Sequence, residues 1–203
     1  MNVIDVKIFV LKKYNALCLK RKRGEGNMDL EKLYDAQKDL DKHILKNNNN
    51  EDMLKEELLN NTILALLVEI GEFANTTRCF KHWSKKGMME DEVVLDELAD
   101  VLHFYLSIGN QIGIKILTWD CVPSHGYDDV GEIVNKLTSI YYWTTELINS
   151  LKSDDSERSN FAYIQLGNSI QYVSGLLGFK EQEIEDAYYK KHEENYYRQR
   201  SGY

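Results

Sequence analysis

A single proline, Pro123, stands among 203 residues. Proline removes a backbone donor and breaks helix interiors, so a chain almost without it can run in long helices with few irregular crossings. The hydrophobic pattern agrees. From Asp29 onward Leu30, Leu33, Tyr34, Leu40 and Ile44 recur at helical spacing, with Gln37 in the same stripe. The four asparagines at 47–50 end this helix, because asparagine competes for backbone hydrogen bonds and favours turns. Further helices are expected over residues 52–80, 90–112, 130–151, 160–177 and 180–198, with a polar break at 152–159 and a loop at 118–129. No segment alternates as a strand does. The expected fold is all-α, a bundle of about six helices.

Hydrophobic residues make up 43% of the chain, enough to give one domain a real core. The net charge of −8 argues against a stable nucleic-acid or anionic-membrane binder. Residues 1–27 depart from the remainder: they carry a net +5 and end in Gly24-Glu25-Gly26-Asn27, a flexible linker by composition. They read as a basic N-terminal extension to a helical domain at 28–203. The apolar stretch at 3–11 contains Asp5 and Lys7, too short and too charged to span a membrane, and it lacks the layout of an export signal. Cys18, Cys79 and Cys121 match no metal-ligand spacing and read as free thiols. A cytoplasmic protein is expected.

Chemistry concentrates in two carboxylate couplets, Glu69-Ile70-Gly71-Glu72 and Glu97-Leu98-Ala99-Asp100. Positions i and i+3 share a helix face, so each couplet points two acids the same way. Both lie inside apolar helix, where four like charges need a cation to coexist. The segment between Glu72 and Glu97 allows a turn and an antiparallel return. Oxygen-only ligation favours Mg²⁺, with Mn²⁺ as a substitute, and Mg²⁺ commonly bridges carboxylates to substrate phosphates. Near the C-terminus Lys191, Asn195 and Arg198 fall at i, i+4 and i+7, a stripe able to grip a polyphosphate or simply to face solvent.

Together these segments resemble the dimeric all-α dUTPases, of the all-α NTP pyrophosphatase (MazG-like) superfamily. The resemblance rests on Leu33-x-x-x-Gln37-x-x-Leu40-Asp41-x-x-Ile44, on the two couplets with His103-Phe104 after the second, and on Lys191-x-x-x-Asn195-x-x-Arg198-Gln199-x-x-Gly202-Tyr203. It covers about residues 28–113 and 175–203, leaving a central insertion near 114–160. It implies Mg²⁺ held by Glu69, Glu72, Glu97 and Asp100, and hydrolysis of dUTP to dUMP and pyrophosphate, with Glu72 taking the proton of the attacking water and Glu69 assisting. It further implies a homodimer, a base and sugar pocket including Gln37 and Trp83, and substrate contacts from Lys191, Asn195 and Arg198. Relatives often have asparagine where this chain has Asp41. Trp83 reads also as a core aromatic, and His103 as a packing residue. Two other readings stay open: a pyrophosphohydrolase of dCTP or other nucleotides, and a helical binding module without catalysis.

Overall fold

The computed structural model describes residues 28–116 and 130–202. The extension at 1–27, the expected loop at 118–129, and Tyr203 of the closing motif lie outside the described residues. Six helices follow one another with no strand among the described residues: α1 (Leu30–Asn47), α2 (Lys55–Thr77), α3 (Asp91–Ile112), α4 (Val130–Lys152), α5 (Ser156–Leu176) and α6 (Glu181–Arg200).

Local chemistry sets the helix ends. The Asp29 side chain accepts the Lys32 amide and starts α1, and the Asn48 side chain donates to the Ile44 carbonyl to close it. Asn49 then adopts φ 54°, a left-handed conformation that asparagine tolerates. Gly113, at φ 74°, ends α3. The second half of the chain departs from expectation at one boundary. Helix α5 begins at Ser156 and not near 160, because the Asp155 side chain accepts the Arg158 amide and caps the helix inside the polar stretch.

Helices α2 and α3 run antiparallel. The end of α2 meets the start of α3 through Met89 N–H to Thr76 O, and their other ends meet through Gln111 Nε2 to Thr62 Oγ1. Helices α4 and α5 form a second antiparallel pair, joined where Arg158 grips Glu146 at 2.6 Å and Ser159 meets Ser150 at 3.0 Å. Residues 130–160 thus belong to this packed pair, and Ile133, Leu137, Ile140 and Leu147 join the core.

Three buried tyrosines tie the pairs together. The hydroxyls of Tyr34 (α1) and Tyr163 (α5) lie 2.8 Å apart, and Tyr163 donates to the Tyr105 carbonyl of α3 at 2.9 Å. The Tyr105 and Tyr163 rings stack with centroids 4.5 Å apart. This contact needs two glycines. A Cβ on Gly109 would overlap the Tyr163 hydroxyl and lie 2.7 Å from the Ile114 carbonyl oxygen, and one on Gly167 would overlap the Tyr105 hydroxyl. Helix α6 crosses α1 and α3 and forms the wall of the cavity described next.

Candidate active site

The acids stand where two helices meet. On α2, Leu66, Ile70 and Phe73 are buried, which sets Glu69 and Glu72 beside that stripe. On α3, Leu98, Val101 and Leu102 are buried, with Glu97 and Asp100 at the edge. All four acids line one cavity of about 740 Å³, within the usual range for small-molecule sites. Carboxylate oxygens of Glu69, Glu97 and Asp100 come within 4.8 Å of one another, while Glu72 lines the cavity outside this triplet.

Crowding shows in the proton affinities. Burial, then the charges of Asp100, Glu72 and Glu97, push the Glu69 carboxyl up to about 7. Glu97 is raised by burial, then by Glu72 and Asp100. Burial also raises Asp100, against the pull of Lys191. Lys191 is 4% exposed, and its ammonium donates to Asp96 at 2.6 Å and contacts Asp100 at 2.7 Å. Burial alone would lower it, but its bonds to Asp100 and Asp96 outweigh that and hold it above the usual lysine value. The donor set fits a hard divalent cation: oxygen atoms only, close enough for one ion with bonds of about 2.0–2.6 Å to reach all three, and mutually repelling without one.

The other walls carry recognition groups. Asn195 and Arg198 line the cavity with Lys191, and Arg198 donates to Glu194 at 2.6 Å. On the α1 wall Gln37 is buried; Tyr188 donates to its Oε1 at 3.0 Å, and its Nε2 donates to Asp41 at 2.7 Å. Burial pushes Asp41 up to about 6, against hydrogen bonds from Gln37 and Ser107. His103, buried and stacked on Tyr188 with centroids 4.2 Å apart, also lines the cavity. Its Nδ1 lies 2.8 Å from the Ala99 carbonyl, which only accepts, so Nδ1 carries the hydrogen. Its Nε2 is then a bare acceptor, buried and without a partner among the described residues. Burial lowers His103 to about 3, so the ring is neutral.

Trp83 takes neither of its expected places. It is 68% exposed in the connection between α2 and α3, edge-on to Phe80 and His82, and it does not line this cavity. The other expected site residues share the cavity wall. Asp96 escaped the sequence reading although it stands one turn from Asp100 on the same face. His103 packs as expected, stacked on Tyr188, and in addition lines the cavity.

An all-helical bundle that gathers acids from two antiparallel helices at a nucleotide-sized cavity has the parts of a phosphate-anhydride hydrolase. Comparison with protein families narrows this. The family described as dUTPase matches residues 29–203, and the chain belongs to it. It is an enzyme with dUTP diphosphatase activity, and its substrate is a nucleotide. The matched range includes the central stretch that carries α4 and α5. No curated protein matches the chain. No helix among the described residues is long and apolar enough to cross a membrane.

Proposed function

We propose that the cavity between α1, α2, α3 and α6 hydrolyses dUTP to dUMP and pyrophosphate with Mg²⁺, by attack of water on the α-phosphorus. The observation that carries this reading is the triplet of Glu69, Glu97 and Asp100, whose oxygens lie within 4.8 Å in the wall of a cavity of about 740 Å³. These three would hold the metal. When bound, Mg²⁺ screens the triphosphate and acidifies the attacking water.

The chain's own groups do the rest. Glu72, beside the triplet and not within it, takes the proton as the water oxygen bonds to the α-phosphorus, with Glu69 assisting. The bond from that phosphorus to the bridging oxygen breaks, and pyrophosphate leaves with the electron pair. Arg198 and Asn195 hold the phosphates from α6. Lys191, paired with Asp96 and Asp100, steadies the acids and adds positive charge near the triphosphate. Gln37 contributes to the pyrimidine site, and the bare His103 Nε2 accepts a hydrogen bond from the nucleoside, for which a sugar hydroxyl is the matching donor. Leu64 and Val68, 63% and 50% exposed one turn apart on α2, support a homodimer. A nucleotide substrate fits work in the cytoplasm.

A panel of nucleoside triphosphates, assayed for pyrophosphate with and without Mg²⁺, tests the reading. Turnover of dUTP that needs Mg²⁺ and collapses in Glu72→Gln is the expected result. Turnover indifferent to both would overturn it.

A further inference from the structure

Asp41 is a carboxylate in the nucleotide cavity that the hydrolytic chemistry does not use. It stands one helical turn from Gln37 on the same face of α1, and both line the cavity. Among the described residues no cation pairs with Asp41. Resting on the nucleotide reading above, we propose that Asp41 reads the 4-position of the pyrimidine ring and admits cytosine, so that the enzyme turns over dCTP as well as dUTP.

Hydrogen-bond arithmetic favours this. The Gln37 amide is oriented at both ends: its oxygen faces the Tyr188 hydroxyl, and its nitrogen donates to Asp41. Turning that amide over would set its oxygen against the carboxylate, two acceptors facing each other. Asp41 Oδ1 is therefore committed as an acceptor. An ionised carboxylate offers about four lone-pair sites. Gln37 and Ser107 donate to Asp41, so acceptor capacity remains for a ligand.

The two bases differ where this capacity matters. Cytosine presents an amino group at position 4 beside the N3 acceptor. Asp41 can accept from the amino group, and the second N–H of Gln37 can reach N3. Uracil presents N3–H flanked by two carbonyl oxygens, so an ionised Asp41 can accept from N3–H while at least one of those oxygens crowds the carboxylate. Both bases can be satisfied, so the pocket discriminates only weakly between them. With asparagine at 41 the outcome differs. Gln37 would still donate to the side-chain oxygen, leaving the Nδ2 amino group toward the ligand. That donor matches the 4-oxo group of uracil and opposes the 4-amino group of cytosine. A buried donor facing a donor is strongly penalised.

The test compares kcat/KM for dUTP and dCTP on the full-length protein with Mg²⁺ at pH 8, where Asp41 is ionised. The native enzyme is expected to use the two within about tenfold of each other. Asp41→Asn, nearly isosteric, is expected to shift the ratio at least tenfold toward dUTP. Glu72→Gln separates the two levels of the reading by silencing both substrates alike. Activity that survives in Glu72→Gln would overturn the hydrolytic assignment itself. Activity lost there, with a dUTP:dCTP ratio in Asp41→Asn within twofold of native, would show that Asp41 does not read the base and would overturn this inference.

Discussion

Replacing Lys191 with methionine keeps the length of the side chain and removes the only charge it brings to the acids. Its side chain is 5% exposed, and its ammonium lies 2.6 Å from Asp96 and 2.7 Å from Asp100. Breaking a fully buried pair by deleting one partner costs about 3–5 kcal/mol, whereas an exposed pair is worth about 0–1 kcal/mol. Here the cation is buried, but the Asp96 and Asp100 side chains are 39% and 21% exposed and can recover part of their hydration. The expected loss lies between those limits, at about 2 kcal/mol. At about 2–4 °C per kcal/mol for a domain of this size, the thermal midpoint in EDTA should fall by about 4–8 °C. The sign of the metal response is the sharper test. Without Lys191 the site is more negative and binds a divalent cation more tightly, so saturating Mg²⁺ should raise the midpoint of the variant more than that of the native protein. Thermal unfolding of both proteins, with EDTA and with Mg²⁺, gives the four midpoints. A variant as stable as native in EDTA, or an equal Mg²⁺ increment in the two proteins, would refute the idea that Lys191 neutralises the acid cluster.

Glu72→Gln should lower kcat/KM for dUTP by about 10²-fold or more, while Glu57→Gln, on the exposed first turn of α2, should match native in the same pyrophosphate assay. Burial and like charges raise the Glu69, Glu97 and Asp100 carboxyls, and a raised acid contributes stability below its unfolded value that is lost as pH rises through the folded one. In EDTA this cluster should therefore cost stability between pH 4.5 and about 7, and the loss should shrink with Mg²⁺; melting curves across that range that Mg²⁺ leaves unchanged would count against it. Arg198→Ala should cut kcat/KM by about 10–100-fold with little change in midpoint, as expected for a partly exposed charge-assisted contact, and lysine there should restore only part of the rate. Gly109→Ala should be destabilising by at least about 1–3 kcal/mol in urea unfolding, despite the better helix propensity of alanine.

The sequence is most legible where contacts are local. The i, i+3 couplets and the Gln37 stripe required only helical periodicity, which is why six helices and the pairing of acids within each helix follow from the residues alone. Contacts across the chain were harder. Tyr188 fixes the Gln37 amide from 151 positions away, and nothing in either helix announces the partnership. The stripe of Lys191, Asn195 and Arg198 leaves open whether it grips phosphate or faces solvent, and nothing local predicts that the crossing of α6 over α3 buries Lys191 against Asp96 and Asp100. Trp83 differs in the opposite direction: an aromatic in a short turn reads as pocket or core, and the connection holds it outward. The polar run at 152–159 reads as a break, but one of its members, Asp155, caps α5 and starts it about four residues earlier.

The glycine and tyrosine pairs between α3 and α5 constrain how such a sequence drifts. Tyr163 occupies the space above Gly109, and Tyr105 the space above Gly167, so each large residue depends on an absence on the other helix. A side chain gained at either glycine is tolerated only once the facing tyrosine has shrunk, and a tyrosine lost first leaves a void and an unpaired buried oxygen or carbonyl behind it. Each one-step path between two well-packed arrangements thus passes through a poorer one. The four positions form two epistatic couples: lineages should exchange them together or retain them together, while the surface around them varies freely.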